Sequence, residues 1–204
     1  MGPRHLLTVL ALALALVAGV FVALRSQTPA TPVAAMLLPQ PDPVPEFSLL
    51  DQHGNSIDRS VFAGHWNLVF FGFTHCPDIC PTTLQVLAAA RSKLAEDGQA
   101  PLPRIVLVSV DPERDTPEII GAYVDYFGPG NLGITGSLEE IDRLTAGLGI
   151  YYQKQPANGD NYVVDHSAAV LVIDPEGRFS ALFSGPHKVE SFVHDLPLIM
   201  RGDR

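Results

Sequence analysis

Cysteine and basic residues are both scarce in this sequence of 204 residues. It contains two cysteines, Cys76 and Cys80, which are too few for a fold held together by disulfides, so the core must form by ordinary packing. Lys and Arg number 13 against 22 Asp and Glu, which gives a net charge of −9. This balance argues against a nucleic-acid partner, because phosphate neutralisation needs clustered basic residues.

The longest apolar run lies at the N-terminus, from Leu6 to Leu24, and contains no charged residue and no Asn or Gln. As a helix it would be about 28 Å long, close to the ~30 Å hydrocarbon core of a bilayer. We therefore expect residues 1–25 to form an uncleaved, single-pass membrane anchor, with cleavage as a signal peptide as the alternative. Neither cysteine follows the run closely, so we do not expect a lipoprotein anchor.

Residues 26–45 are rich in proline, and this composition favours extended polyproline geometry over a packed element. We expect a linker there that holds a domain, over residues 46–204, away from the bilayer. Arg4 precedes the apolar run, and basic residues on that side favour an N-terminus inside the cell. No Arg- and Ser-rich transit peptide precedes the run, so the expected location is the bacterial inner membrane, with the domain in the periplasm.

From Glu46 onward, segments typical of strands and helices alternate. Apolar runs predict strands over 67–73, 104–110, 168–173 and 179–183. Helical spacing predicts helices over 82–96, 116–127, 137–148 and 188–200, with Thr116 and Ser137 as the caps of the second and third. Turn residues predict a small hairpin around His53-Gly54-Asn55 and a second turn over 174–177. This alternation indicates an α/β fold with a central sheet covered by helices.

The two cysteines follow the first buried strand, in the segment G-F-T-H-C-P-D-I-C-P. Pro81 fits the first turn of the next helix, so Cys76 and Cys80 lie on a turn and at a helix N-terminus, where the helix dipole stabilises thiolate. Two close thiolates suit a soft metal ion or a redox-active pair, and a static disulfide is the remaining alternative. The spacing is one residue longer than the C-x-x-C of thioredoxin-type oxidoreductases.

Among the histidines, His166 is the candidate for a third ligand, although its spacing alone is more typical of an ordinary, partly buried histidine. It precedes the apolar run 168–173, and a residue at the start of that strand would lie at the edge of a site built by a neighbouring strand. Two cysteines and one histidine would leave a coordination position open, unlike a closed structural zinc site. His75, next to Cys76, is the rival ligand on proximity.

Three separated stretches, in the same order, resemble motifs of the Sco/SenC family. They are 72–81, 108–117, and Val164-Asp165-His166-Ser167 followed by 172–177. The similarity runs from about Glu46 to the C-terminus. It implies a thioredoxin-like fold, a central mixed sheet flanked by helices, behind one N-terminal transmembrane helix. It also implies one copper ion, Cu(I) or Cu(II), bound by Cys76, Cys80 and His166.

The resemblance implies a copper chaperone that delivers copper to cytochrome c oxidase or prepares its dinuclear copper centre. Its partner would be the oxidase subunit that carries this centre, or another copper donor or acceptor protein. We expect a binding protein rather than an enzyme. A thiol–disulfide oxidoreductase, with Cys76 and Cys80 as its redox-active pair, is one alternative, and a redox or copper sensor is another.

Two features of the motifs bear on these alternatives. The stretch 164–167 contains no proline of the kind that thioredoxin-type enzymes place before the strand facing the cysteines, which favours metal binding. In the second motif, Asp115 is expected to cap the helix that begins near Thr116. The role of Asp111 stays open: it is either a turn residue or a group that orients a metal ligand.

Overall fold

The structure is a computed structural model that describes residues 2–25, 31–156 and 162–202. The chain divides into two compact units, one ending at Thr31 and the other running from Pro32 to Gly202. The first unit contains helix α1 (Pro3–Arg25). In the described part of the chain no helix is both long and apolar enough to cross a membrane, and the predicted transmembrane helix is not supported there.

The second unit is built on an eight-stranded mixed sheet. Its strands are β1 (Ala35–Pro43), β2 (Leu49–Asp51), β3 (Ser56–Ile57), β4 (Asn67–Gly72), β5 (Arg104–Ser109), β6 (Leu132–Thr135), β9 (Val170–Ile173) and β10 (Arg178–Phe183). They are ordered β1-β10-β9-β4-β5-β6-β2-β3. Strands β4, β5 and β6 are parallel, and the other pairs are antiparallel. A separate two-stranded sheet joins β7 (Tyr152–Lys154) and β8 (Val164–His166).

Four helices accompany the sheet. They are α2 (Ile79–Glu96), α3 (Pro117–Tyr126), α4 (Leu138–Leu148) and α5 (Val189–Arg201). Thr116 and Ser137 cap α3 and α4, as the sequence predicts, because each hydroxyl accepts a hydrogen bond from a backbone N–H of the first turn. Helix α5 continues through Pro197 instead of ending there.

The core lies on both faces of the central strands. Every residue of β4 is buried, which is the pattern of a strand covered on both sides. Helix α2 packs against α5, and α3 packs against β6. The α/β class, the mixed sheet and the flanking helices are therefore confirmed.

The Pro-rich stretch departs from its prediction. Residues 35–43 form strand β1 and pair with β10, so this part of the expected linker 26–45 belongs to the sheet, and the second unit begins before the predicted boundary at Glu46. The prolines are compatible with a strand because β1 is at the edge, where one row of N–H groups has no partner strand. The pairing shifts register between Leu37 and Asp42, around Pro39 and Pro41. Residues 26–30 lie outside the described residues.

Besides β1, three strands, β6, β7 and β8, are absent from the sequence prediction. The consequence is largest for His166. It is the last residue of β8, not the first residue of the apolar strand, which begins only at Val170. The third predicted ligand is therefore carried by the small second sheet.

A buried carboxylate fastens the start of the second unit. Asp195 of α5 is fully buried and accepts hydrogen bonds from the backbone N–H groups of Val33, Ala34 and Ala35, at 3.0, 2.7 and 2.7 Å. His194 Nδ1 lies 2.7 Å from the same carboxylate. Burial raises the pKa of Asp195, but the hydrogen bonds from His194 and the backbone lower it more, so the pKa lies below its ordinary value.

We expect Asp195→Asn to lower the free energy of unfolding by about 1–3 kcal/mol at neutral pH, because backbone donors lose their charged acceptor. The ionised Asp195 stabilises the fold above its unfolded-state pKa. The difference between wild type and variant should therefore shrink as pH falls through the depressed folded-state pKa. Urea denaturation of the full-length protein at several pH values measures this difference. Asp125→Asn, at an exposed position of α3, is the control and should change stability by less than about 0.5 kcal/mol.

Candidate metal centre

The cysteines lie at the carboxyl end of β4. After Gly72 the chain makes a turn in which the Cys76 N–H donates to the Phe73 carbonyl at 3.2 Å, and Cys80 is the second residue of α2. The Cys80 N–H points to Cys76 Sγ, at 3.5 Å. This donor is one of the free N–H groups of a helix N-terminus, and it favours a thiolate at Cys76.

Gly72 leaves the space that the Cys80 sulfur occupies. A Cβ atom at this position would lie 2.7 Å from Cys80 Sγ and 2.9 Å from the Phe70 ring. Both distances are too short for real contacts, and Cys80 is fully buried. A larger residue at position 72 would therefore displace the sulfur.

His166 reaches the cysteines from β8. Its Nε2 atom lies 3.3 Å from Cys80 Sγ, and its Nδ1 atom lies 3.1 Å from the Ser167 carbonyl oxygen. A proton on Nδ1, donated to that carbonyl, leaves the Nε2 lone pair directed at the sulfurs, as in histidines that bind metals. The rings of Phe70 and Phe73 contact the imidazole edge to face, with centroids 5.7 and 5.8 Å away.

The structure thus brings the three predicted ligands together. One donor atom each from Cys76, Cys80 and His166 lie within 4.8 Å of one another. Cys80 is buried, and the other two residues are partly exposed. A donor set of two sulfurs and one imidazole nitrogen at this spacing fits a single soft metal ion.

His75, the rival ligand, is not part of this cluster among the described residues. Its side chain is half exposed, and its Nδ1 atom lies 3.0 Å from Thr74 Oγ1 and 3.9 Å from a carboxylate oxygen of Asp115. Proximity in sequence to Cys76 therefore does not place its ring with the sulfurs.

The two thiols differ in acidity. A hydrogen bond from Cys80, together with backbone N–H groups and His166, lowers the pKa of Cys76 to about 4 against the opposing effect of burial. Donating that hydrogen bond to Cys76, together with its own burial, raises the pKa of Cys80. Both cysteines are free thiols in this structure. One thiolate is thus present at neutral pH, and a metal ion must displace the proton of the other.

The second motif supports residues 73–80, the cysteine loop, and the predicted role of Asp115 as a helix cap is wrong. Thr116 is the cap, whereas the buried Asp115 carboxylate accepts hydrogen bonds from Thr74 N at 3.1 Å and from Ser109 Oγ at 2.7 Å. A buried carboxylate needs such donors more than a helix end does, because it has no access to water. Asp111, whose role the sequence did not decide, accepts a hydrogen bond from Tyr162 Oη at 2.5 Å and forms an ion pair with Arg114.

Sequence reasoning missed Gly72, Arg114 and Tyr162. Gly72 and Arg114 lie inside the recognised motifs, which is the signal that could have singled them out, but their partners are distant in sequence. Tyr162 lies outside every motif, and nothing in its local sequence indicates a contact with Asp111.

A mixed sheet with flanking helices, and a Cys-Cys-His cluster at the carboxyl end of a central strand, define a thioredoxin-like protein with a candidate metal centre. The sequence profile of the SCO1/SenC family matches residues 37–201. The chain belongs to this family. The match begins within β1, before the start at Glu46 that the sequence motifs indicated.

Named relatives agree with this assignment. The chain is 39% identical over 152 residues to the mitochondrial SCO2 homolog of Mus musculus, an alignment that covers 74% of this chain and 60% of the mouse protein. The copper-bound crystal structure of Arabidopsis thaliana ScoI superposes with a TM-score of 0.72 at 37% identity, covering 78% of this chain and 98% of that one. Apo Sco1 from Thermus thermophilus gives the same TM-score, 0.72, and identity, 37%, over 85% of this chain and 99% of that one.

The acidity of Cys76 can be tested by alkylation. In the metal-free, reduced protein, the rate of Cys76 modification by iodoacetamide should follow a titration with a midpoint near pH 4, because the thiolate is the nucleophile. Cys80→Ala removes the hydrogen-bond donor and should move this midpoint upward. Cys80→Ser keeps a hydroxyl donor and should move it less. Mass spectrometry of the peptide containing Cys76 gives the rates, and equal midpoints in wild type and Cys80→Ala would contradict the stated cause.

Proposed function

We propose that this protein carries copper, binding one ion through Cys76, Cys80 and His166. The observation that carries the proposal is that their three donor atoms lie within 4.8 Å of one another. Copper binds thiolate and imidazole ligands more strongly than harder cations do, and two thiolates favour Cu(I). The copper-bound ScoI of Arabidopsis thaliana, which is 37% identical, supports the choice of metal.

The geometry suits a cargo ion better than a permanent structural ion. Three protein ligands leave a coordination position open, and an incoming ligand from an acceptor protein can occupy it. Cys76 and His166 are partly exposed, so an acceptor can approach from their side, while Cys80 is buried beneath them. Because the pKa of Cys80 is raised, its sulfur readily takes up a proton again. This protonation competes with the metal and favours its release.

We propose that the acceptor is the dinuclear copper centre of cytochrome c oxidase, on the subunit that carries it. Support comes from membership of the SCO1/SenC family and from the resemblance of the three sequence motifs. Another copper donor or acceptor protein is the alternative partner. The chain spans 60% of the length of the mouse relative.

A second function, thiol–disulfide exchange, is favoured by one observation. A cysteine with a pKa of about 4 beside a cysteine of raised pKa resembles the attacking and resolving pair of an oxidoreductase. Such an enzyme needs the two sulfurs but has no need of an imidazole nitrogen 3.3 Å from Cys80. His166 therefore separates the two functions.

The reduced full-length protein should bind one copper ion, and His166→Ala should lower its copper affinity by more than about 100-fold. Loss of a direct ligand should exceed the roughly 10- to 100-fold effect of losing an outer partner. Cys76→Ser and Cys80→Ser should weaken binding as strongly. His75→Ala is the matched control, because His75 is adjacent to Cys76 but outside the cluster, and its affinity should match wild type. Competition with a Cu(I) chelator measures the affinities.

The same variants separate copper delivery from reduction of a partner. For a carrier, cells that express His166→Ala at the wild-type level should lose oxidase activity nearly as completely as cells that express a cysteine variant. For a reductase, His166→Ala should leave activity normal, and Cys80→Ser should trap a mixed disulfide with the partner through Cys76. Normal oxidase activity in the His166→Ala strain together with that adduct would refute the copper-carrier proposal.

We propose further that the protein is held in the bacterial inner membrane by a single N-terminal span, with residues 32–202 in the periplasm. The uncharged run from Leu6 to Leu24 and the preceding Arg4 support this placement. After carbonate washing, full-length protein should stay in the membrane fraction, and protease added to spheroplasts should degrade the second unit. Recovery of a shortened form in the soluble periplasmic fraction would instead indicate cleavage.

A further inference from the structure

The hairpin that carries His166 has no backbone pairing with the sheet that carries the cysteines. Strands β7 and β8 pair only with each other among the described strands. We refer to residues 152–156 and 162–166 as the ligand hairpin. Because side-chain contacts must hold this hairpin, the distance of His166 from the cysteines depends on which contacts these are.

Val164 anchors the hairpin in the core, and several polar contacts of the hairpin go to one turn, residues 111–114, which follows β5. Tyr162 Oη donates to Asp111 at 2.5 Å, and Arg114 Nη1 donates to the Tyr162 carbonyl oxygen at 3.2 Å. Lys154 Nζ lies 2.6 Å from a carboxylate oxygen of Glu113. A further bond joins Tyr152 of the hairpin to Asp142 of α4.

Arg114 is the centre of this turn's contacts. Its guanidinium carbon lies 3.7 Å from the ring centroid of Tyr162 and 5.6 Å from that of Phe73. Phe73 in turn contacts the His166 ring, with 5.8 Å between centroids. The guanidinium thus lies between an aromatic ring of the hairpin and an aromatic ring of the cysteine loop, an arrangement that a planar delocalised cation stabilises on both sides.

The ion pair that orients Arg114 is largely removed from water. The Arg114 side chain is 17% exposed and its partner Asp111 is 3% exposed, whereas the Lys154–Glu113 pair is about half exposed. Exposed pairs contribute little, while a buried and hydrogen-bonded pair holds a defined geometry. Of the two ion pairs at this turn, the one with Arg114 is therefore better able to fix the position of the hairpin, and Lys154 makes an accessory contact.

We propose that Arg114 is a positioning residue for the metal centre. It does not touch the metal, and it sets the place of the His166 imidazole relative to Cys80 by joining the ligand hairpin to the cysteine loop. The turn at 111–114 and the adjoining Asp115 would then support both the histidine and the cysteines of the centre, since Asp115 accepts hydrogen bonds from Thr74 of the cysteine loop. This inference rests on the proposed copper function for its affinity readout.

The test compares Arg114→Met, which keeps much of the length but loses the charge and planar fork, with Arg178→Met. Arg178 is the matched control, because it also pairs with a buried aspartate, Asp174, but on the turn between β9 and β10. Arg114→Met should lower the copper affinity of the full-length protein by about 10- to 100-fold, as expected for an outer partner of a ligand. Arg178→Met should leave it unchanged.

A second readout uses the metal-free protein and does not depend on copper. In wild type, NMR should show a nuclear Overhauser contact between the rings of His166 and Phe73. Arg114→Met should weaken this contact and shift the His166 ring signals, while contacts within β4 and β5 stay unchanged. A role in general stability would lower the denaturation midpoint without moving His166 selectively.

The outcomes are distinct. Wild-type affinity and an unchanged His166 contact in folded Arg114→Met would overturn the positioning role. If Arg114→Met does not fold, Tyr162→Phe decides by the same two readouts, with an expected affinity loss of about 3- to 10-fold from one hydrogen bond. A wild-type protein that binds no copper would refute the proposed function, and the metal-free NMR comparison would still decide the role of Arg114.

Discussion

The carboxylate of Asp115 is the contact on which the candidate centre depends most. It is fully buried and accepts hydrogen bonds from the Thr74 hydroxyl and N–H and from the Ser109 hydroxyl. Its main-chain carbonyl also accepts from Thr135 Oγ1 at 2.7 Å. The chain segments at the ends of β4, β5 and β6 therefore converge on one residue. A buried carboxylate without these donors would be strongly unfavourable, so the fold and the shape of the cysteine loop are linked.

The opposite pKa shifts of the two thiols follow first from the hydrogen bond that Cys80 donates to Cys76, and burial raises the pKa of Cys80 further. Cys76 lies at the partly exposed end of the loop and takes the negative charge, while Cys80 is enclosed beside Gly72 and keeps its proton. Thiol exchange uses this asymmetry, whereas metal coordination needs both sulfurs as thiolates. The imidazole of His166 is the element that only metal coordination uses, because it supplies a third donor without taking part in exchange between sulfurs.

The sequence predicts those parts of the fold whose signal is local. Strands β4 and β5 are continuous apolar runs, and the caps Thr116 and Ser137 are visible from neighbouring residues. Strand β1 could not be predicted because its prolines resemble a linker and only its edge position makes them compatible with pairing. The cysteines and His166 were recognised through their motifs. The partners of Asp115 could not be, because those contacts form only once the chain has folded.

The two margins of the main sheet differ from its centre in their capacity to bind further strands. At one margin, β1 carries Pro39, Pro41 and Pro43, which have no N–H to donate, and its register is interrupted. At the other, β3 is only two residues long. Both features oppose intermolecular β-augmentation, the process by which exposed sheet edges start aggregation.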